Sequence, residues 1–325
     1  MKVYIHNISN YYSSYYLHGL NKTADLEYTG SKEFESYNNR GFLIFEVGGK
    51  IGVVDNHDPM GVDQSLLDKV DFYFATNKVK GHDAYEKDKV FPLFPHYPIK
   101  VHKDYFKVFK LNPLFKIAPV ALLKELYAQN LRTRYQDEVW DYRISNYVFF
   151  SGSIWKKEKW ANELRAAFIE ACRQNPKIEF EGGFVRRKDG AHGEYEHLLN
   201  TREYSPTSFA QKSRKSMITF NNPAVLGAVS WRLAESQNLG SFVLSFPFKI
   251  HLPVYPKNGE EIHYIHDKEE LPEVINFISE NSNYHRKIAL GGKKYFERYC
   301  KPEVQARYML DVLRGQVAPL QNSKA

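Results

Sequence analysis

The chain of 325 residues has few cysteines and no long apolar segment. Its two cysteines, Cys172 and Cys300, lie in separate helix-like segments, a pattern unlike a disulfide framework or a cysteine zinc site. No apolar run approaches the ~20 residues that a membrane-spanning helix needs. The first residues, MKVYIHNIS, read as a strand and not as a signal peptide. We therefore expect a cytoplasmic protein whose membrane contact, if any, is peripheral and at the inner face.

The sequence also lacks a dense cluster of basic residues, although its net charge is +7 and its pI about 9.0. Positive residues alternate with acids, as in KKEKW and FVRRKDG. A nucleic-acid-binding protein usually concentrates its charge on one element. A net positive charge that is spread among acidic residues instead indicates a phosphorylated small ligand or weak contact with an anionic membrane. It does not indicate a nucleic-acid partner.

Strand-like segments alternate with helix-like segments of ten or more residues in both halves, which predicts parallel sheets covered by helices. We therefore expect an α/β fold of two Rossmann-like domains facing across a cleft. The apolar periodicity lapses around TRYQDEVWDYRISN, and this places the domains at residues 1–135 and 136–325. Ligands of such sheets bind beyond the carboxyl ends of the strands, so the cleft is the expected active site.

Turn and capping residues predict where several strands and helices begin or end. A Gly-Gly pair separates two strand-like segments, GFLIFEV and KIGVVD. Ser205 is a predicted helix N-cap, Gly240 closes the predicted helix AVSWRLAESQNLG, and Asp267 caps a later helix. The proline-broken segment VFPLFPHYPIKVHKDYF predicts a loop.

Arg232 and Glu235 are three residues apart in a predicted helix between two buried strands, so they share one face. One interpretation is an intrahelical ion pair. The other is that Arg232 faces the cleft and binds a diphosphate, because the guanidinium fork stays charged and bonds two oxygens at once. Glu235 would then accept hydrogen bonds from ribose hydroxyls.

Other candidate ligand contacts surround this helix in sequence. Small residues between a strand and a helix let main-chain N–H groups approach a phosphate, although they also suit an ordinary turn; these are Ser151, Gly152 and Ser153. Lys212 and Arg214 precede the next strand, and one of them could reach the diphosphate. Asn221 and Asn222 end that strand, where they contact a ligand or turn the chain.

The segment VVDNHDP ends a buried-looking strand in the first half. His57 or Asp58 would serve as the base that deprotonates an acceptor hydroxyl, with Asp55 orienting the histidine. The alternative is an Asx-type turn at which Pro59 stops the strand. His192, Glu194 and His197 in AHGEYEH lack the spacing of a zincin helix and indicate a loop.

From Tyr147 to Leu313 the sequence resembles the donor-binding domain of GT-B glycosyltransferases, through SRKSMITFNN and SWRLAESQNLGSFVLS. It is most similar to exostosin-like and related bacterial glycan-assembly enzymes. The resemblance implies transfer of a sugar from a nucleotide-sugar donor, in polysaccharide biosynthesis, to a glycan or lipid-linked glycan acceptor. It also implies nucleoside contacts from Glu235, Asn221, Asn222 and Ser230.

The resemblance implies no cofactor and no metal, because positive side chains and a helix dipole replace Mg²⁺ in GT-B enzymes. The sequence has no Asp-x-Asp motif, which is the usual metal site of the other main transferase fold. Two alternatives stay open: a non-catalytic module that binds a nucleotide or phosphosugar, and another two-domain sugar-phosphate enzyme such as an epimerase or phosphorylase.

Overall fold

A computed structural model of the protein describes residues 1–142 and 144–316. The strands are short and alternate with helices. They are β1 (Lys2–Ile5), β2 (Asp25–Tyr28), β3 (Phe42–Val47), β4 (Lys50–Asp55), β5 (Phe72–Ala75), β6 (Val90–Pro92), β7 (Tyr147–Ser153), β8 (Glu179–Val185), β9 (Ile218–Asn221), β10 (Phe242–Ser245) and β11 (His263–Tyr264). The helices are α1 (Ser14–Thr23), α2 (Gln64–Leu67), α3 (His102–Phe109), α4 (Asn112–Lys116), α5 (Pro119–Asn130), α6 (Lys159–Gln174), α7 (Pro206–Lys215), α8 (Arg232–Leu239), α9 (Leu271–Glu280), α10 (Ser282–Tyr295) and α11 (Pro302–Leu313). The predicted α/β class is confirmed.

The chain forms two units. The first contains Met1–Gln136, Ile250–Tyr255 and the described residues from Arg298 onward, and the second contains Asp137–Lys249 and Pro256–Glu297. The boundary predicted after residue 135 lies next to this division, but both later segments of the first unit were predicted to belong to the C-terminal domain. Residues 317–325 of that predicted domain lie outside the described part of the chain.

The last helix, α11, packs on α1 within the first unit. The buried hydroxyl of Tyr15 in α1 donates to the carbonyl of Cys300, 2.6 Å away, and the Gln305 side chain donates to the same carbonyl over 3.0 Å. The contact between Tyr15 and Cys300 joins residues 285 positions apart, and no local sequence pattern reports it.

The first unit has a six-stranded sheet in the order β2-β1-β3-β4-β5-β6. Its pairs are parallel except those of β3, which runs antiparallel to β1 and β4. The β3–β4 hairpin turns at Gly48 and Gly49, both with positive φ (59° and 77°), as the Gly-Gly pair predicted. The predicted loop after residue 89 is wrong in part, because it contains β6 and the start of α3. Proline is tolerated in β6 because β6 is an edge strand.

In the second unit every strand pair is parallel: β7 with β8, and β9 and β11 on either side of β10. The start of β9 lies beside β7, where the amide of Met217 donates to the carbonyl of Tyr147 over 2.7 Å. The predicted parallel arrangement is therefore confirmed in this unit. Its core includes Phe168 stacked on Phe220, with ring centroids 4.4 Å apart.

The predicted helix boundaries in the second unit are mostly confirmed. The Ser205 side chain accepts from the Ser208 amide, Gly240 ends α8 in the left-handed conformation, and Asp267 forms a capping box. One boundary is wrong, because the predicted helix from Ala228 begins only at Arg232. Residues 223–231 instead form a loop that contains a 3₁₀ turn at Val225–Gly227, and Arg232 consequently lies in the first turn of α8.

Candidate functional site

The carboxyl end of β7 is formed by the three predicted small residues, Ser151, Gly152 and Ser153. It lies close to β8. Gly182 of β8 has φ +125°, and a Cβ there would lie 1.9 Å from the carbonyl oxygen of Phe150. The carbonyls of Ser151 and Ser153, two residues apart, both accept hydrogen bonds from arginine side chains. This strand end is therefore organised to hold guanidinium groups.

Arg232 is the first of these arginines. Its Nη2 donates to the carbonyl of Ser151, and its Cζ lies 5.0 Å from the ring centroid of Phe150 and 5.3 Å from that of Phe209. Burial lowers the pKa of Arg232 to about 10, and the charge of Glu235 partly opposes that shift. The guanidinium therefore remains positive at neutral pH in a half-buried, aromatic environment.

Arg165 of α6 is the second arginine, and it was not among the residues predicted from the sequence. Its Nη1 donates to the carbonyl of Ser153 over 2.6 Å, and its Nε donates to Oδ1 of Asn222 over 3.3 Å. Its side chain is buried. The only available signal was an arginine at a position in the amphipathic helix where its neighbours are apolar, and that pattern is also typical of a structural arginine.

The two guanidiniums are close enough for their charges to interact. Burial lowers the pKa of Arg165 to about 10, and the positive charge of Arg232 lowers it further. Both guanidiniums hydrogen-bond neutral oxygens, and the carboxylates of Glu235 and Glu158 raise the pKa of Arg232 and of Arg165, respectively, against the effect of burial. Because like charges repel most strongly where solvent is excluded, this arrangement favours an anion that neutralises both. A diphosphate carries negative charge on several oxygens, which suits this role.

The predicted nucleoside contacts lie around this pair. Asn222 positions Arg165, and Asn221 donates from Nδ2 to the hydroxyl of Ser245 over 2.9 Å. Oδ1 of Asn221 is buried without a hydrogen-bond partner among the described residues. The Ser230 hydroxyl accepts from the amide of Arg232 over 3.3 Å. Each of these residues thus has a structural contact, and their nucleoside roles stay predictions.

Glu235 lines a cavity of about 20 Å³ together with Arg232 and Ser151. This volume holds a water molecule and no more. The charge of Glu235 raises the pKa of Arg232 against the effect of burial. The intrahelical ion pair stays a prediction. A ligand of nucleotide size would have to contact the guanidiniums from outside this cavity or widen it.

Lys212 and Arg214 do not join the arginine pair. They line a separate cavity of about 830 Å³ beside the first residues of β7 and β9, at the opposite edge of the strands from Ser151. Lys212 pairs with Glu181 at 2.7 Å, and Arg214 forms a bidentate ion pair with Glu138 at 2.6 and 2.8 Å. The position follows from topology, because the end of α7 leads into the amino end of β9. Their diphosphate roles stay predictions that the geometry does not favour.

In the first unit, the predicted base and its orienting acid are in contact. Asp55 ends β4 and is buried, and its Oδ1 accepts from both the amide and Nδ1 of His57, over 3.0 and 2.8 Å. The imidazole lies on the ring of Phe42, with centroids 4.4 Å apart, and the side chain is 45% exposed. A proton on Nδ1, directed to the carboxylate, leaves the lone pair of Nε2 available. His57 thus has the geometry of a general base.

Tyr73 supports this pair, because its hydroxyl donates to Oδ2 of Asp55 over 2.5 Å. Burial and the charge of Asp55 hold the pKa of Tyr73 well above its usual value, so the phenol remains a donor. Asp58 is exposed, and its carbonyl accepts from the amide of Met60 in a turn. The Asx-type turn predicted as the alternative is also present, since the amide of His57 donates to the Asp55 side chain.

The structure describes residues 1–142 and 144–316. These residues contain no group of three or more His, Cys, Asp or Glu side chains that could hold a metal ion. No helix among them is both long enough and apolar enough to span a bilayer. His192 of AHGEYEH is buried and pairs with Glu196 at 2.6 Å, within a short 3₁₀ segment.

No protein-family model matches the chain, and no curated protein matches it in sequence. Several solved structures are similar. The C-terminal domain of a glycosyl transferase group 1 family protein, LpcC, from Francisella tularensis is 13% identical with a TM-score of 0.30, over 46% of this chain and 82% of that one. Anabaena HepE, solved with UDP and glucose, is 11% identical with a TM-score of 0.45, over 76% of this chain and 64% of that one.

A third similar structure is a candidate UDP-N-acetylglucosamine 2-epimerase from Listeria monocytogenes. It is 10% identical with a TM-score of 0.41, over 100% of this chain and 99% of that one. GT-B glycosyltransferases are thus among the structures that the chain resembles, as the sequence predicted. The exostosin-like grouping stays a prediction.

Proposed function

We propose that the protein is a glycosyltransferase that moves a sugar from a nucleotide-sugar donor to a glycan or lipid-linked glycan acceptor. The observation that carries the proposal is the Arg165–Arg232 pair, held by the carbonyls of Ser153 and Ser151 at the carboxyl end of β7. In parallel α/β units this strand edge is where nucleotide phosphates bind. Two cations whose hydrogen-bond partners are neutral oxygens suit a group that carries negative charge on several oxygens.

The two arginines would also supply the chemistry of the leaving group. As the bond from the sugar to the diphosphate breaks, negative charge grows on the departing oxygen, and fixed cations stabilise it. We propose that this stabilisation operates without a metal ion. Arg165 is held from two sides by Ser153 and Asn222 and so needs little reorganisation during the reaction.

His57 is the proposed base that removes the proton from the acceptor hydroxyl. Its Nε2 lone pair accepts the proton, and Asp55 stabilises the imidazolium that results. The proposal includes peripheral contact with anionic lipid, which a net charge of +7 favours and which would bring the enzyme to a lipid-linked acceptor.

A panel of nucleoside diphosphates and nucleotide-sugars tests the proposal. A nucleotide that binds the folded protein raises its Tm by mass action. The nucleotide-sugars that bind are then incubated with membrane glycolipids and oligosaccharides, and the products are identified by mass spectrometry. A glycosylated acceptor supports transfer. Binding without donor consumption would indicate a binding module, and a rearranged or hydrolysed donor without acceptor product would indicate a sugar-nucleotide epimerase or hydrolase.

A further inference from the structure

Helix α5 of the first unit exposes large apolar side chains and buries polar ones, unlike an ordinary surface helix. Its exposed side carries the apolar residues Val120, Leu123 and Tyr127, which are 65–68% exposed. Its buried side carries Leu122 together with two polar residues, Glu125 and Gln129, which are joined by a hydrogen bond of 2.8 Å. A surface helix normally places its apolar residues inward. The exposed apolar side of α5 is therefore available for contact with something other than water.

The neighbouring helix α4 and the residue before it extend this surface. Leu111, Leu114 and Phe115 are 57–82% exposed, and α4 packs against α5. Together these side chains form what we call the α4–α5 face, which consists of Leu111, Leu114, Phe115, Val120, Leu123 and Tyr127. Six large apolar side chains within 17 consecutive residues exceed the scattered exposure usual on a monomer surface.

Lysines are frequent in the segment that carries this face. Residues 100–131 contain six lysines and two acids. The lysines are Lys100, Lys103, Lys107, Lys110, Lys116 and Lys124. Neither acid opposes them at the surface, because Asp104 is bonded to His18 and Asn21, and Glu125 is buried. Lys116 is paired with Glu35 at 2.7 Å, whereas Lys103, Lys110 and Lys124 are exposed.

We infer that the α4–α5 face binds anionic membranes, with its apolar side chains entering the headgroup–acyl boundary and the lysines contacting lipid phosphates. Exposed leucine and phenylalanine between lysines is the composition of an interfacial surface. Lysine can keep its ammonium in the headgroup layer while its methylene stem lies along apolar neighbours. Pairing of two copies through this face would bring the lysines together, and their repulsion opposes it. This face would make the membrane contact that belongs to the proposed function. Its binding to lipid does not require the nucleotide site, which lies in the other unit.

Flotation with vesicles tests the inference. The full chain is mixed with one of two kinds of vesicle. One contains phosphatidylcholine alone, and the other contains phosphatidylcholine and phosphatidylglycerol in about a three-to-one ratio. We expect it to float with the anionic vesicles, to lose most binding in high salt, and to bind neutral vesicles weakly. The double variant Phe115→Ser/Leu123→Ser should lose about tenfold or more in affinity, because two exposed side chains no longer enter the bilayer. Lys110→Gln/Lys124→Gln should lose about tenfold or more through weaker attraction to lipid phosphates.

Matched controls lie outside the face. Met60→Ser removes an apolar residue that is equally exposed, and Lys287→Gln removes a lysine of the second unit. Both should bind vesicles as the unchanged chain does. Phe115→Trp adds a fluorophore to a unit without tryptophan, since the four tryptophans lie between residues 140 and 231. Its emission should shift to the blue on vesicle binding.

The inference is overturned if the chain does not float with anionic vesicles, or if the face and control variants lose binding equally. It is also overturned if sedimentation shows a dimer that Phe115→Ser/Leu123→Ser dissociates, because the occupant is then a second copy. Nucleotide binding, followed by Tm on the same preparations, separates this failure from a failure of the proposed transferase function, because the vesicle assay needs no donor.

Discussion

Arg165 of α6 and Arg232 of α8 donate to carbonyls two residues apart on one strand end, those of Ser153 and Ser151. Each lies where burial lowers the pKa of its guanidinium to about 10, and the charge of Arg232 lowers the pKa of Arg165 further. Such a pair raises the electrostatic free energy of the unliganded protein. A bound anion lowers that free energy, because its negative charge removes the repulsion between the guanidiniums.

Loss of either arginine should weaken nucleotide binding. Arg165→Ala and Arg232→Ala are each expected to raise the Kd for the preferred nucleoside diphosphate by about 10- to 100-fold, since a hydrogen bond to a charged group contributes about 1.5–3 kcal/mol. Calorimetry measures the effect. Arg173→Ala is the matched control, because Arg173 also lies on α6 and also donates to main-chain carbonyls, those of His197 and Gly182 among them. Equal losses in all three variants would refute the assignment.

Removal of His57 should stop transfer without affecting donor binding. His57→Ala is expected to lower kcat by about 100-fold or more, the usual contribution of a general base. Asp55→Asn should also lower kcat, because the amide no longer fixes the proton on Nδ1. His18→Ala is the control, since His18 pairs with Asp104 at 2.6 Å in the same unit. Full turnover by His57→Ala would show that the base lies elsewhere, and Asp58→Asn would then be measured.

Transfer should be insensitive to metal removal. If the arginine pair neutralises the leaving diphosphate, the initial rate in EDTA should equal that in buffer. The measurement is the rate of transfer before and after chelation, with Mg²⁺ and Mn²⁺ added back. A rate lost in EDTA and restored by Mn²⁺ would contradict a metal-free mechanism.

Substitution of Gly182 should destabilise the second unit. A Cβ at Gly182 would lie 1.9 Å from the carbonyl oxygen of Phe150, and the φ of +125° is unfavourable for alanine. We expect Gly182→Ala to reduce the free energy of unfolding by about 3 kcal/mol or more, as for other strained substitutions. Gly190→Ala is the control, because Gly190 has a positive φ with no atom within 4 Å of its Cβ position, and it should cost about 1 kcal/mol. Urea unfolding of both variants makes the comparison, and equal losses would exclude a steric cause.

The buried carboxyl of Glu125 should make stability depend on pH. Burial raises the pKa of Glu125, so the folded state holds the proton more tightly than the unfolded state does. Its contribution to stability is therefore largest below the unfolded pKa and is lost as the pH rises through the folded pKa. Glu125→Gln should be more stable than the unchanged chain at neutral pH, with the difference vanishing in acid. Thermal unfolding between about pH 4 and pH 8 tests this, and a constant difference would contradict it.

Local sequence patterns predicted much of the second unit. The caps at Ser205 and Asp267, the left-handed Gly240 and the parallel strands follow from neighbouring residues, which interact within a turn or two of chain. The predicted start of α8 is four residues early. Ala228 instead forms main-chain hydrogen bonds with Ala224 and Val225, which close a turn before the helix begins.

The candidate site was predicted only in part. The strand end and Arg232 were identified, as was the contact between Asp55 and His57, which are two residues apart. Arg165 was missed because its partners, Ser153 and Asn222, are 12 and 57 residues away. Lys212 and Arg214 were grouped with Arg232 by their proximity in sequence, whereas the topology places them at the other edge of the strands.

The sequence by itself determined the α/β class, the alternation of strands and helices, and the excess of positive charge, because these depend on composition and on interactions between near neighbours. Only the tertiary structure decided that Arg165 meets Arg232, that α11 packs on α1, and that α5 exposes its apolar side. These features depend on which distant segments exclude water together. Many chain foldings satisfy the same local pattern, and the packed core selects one of them.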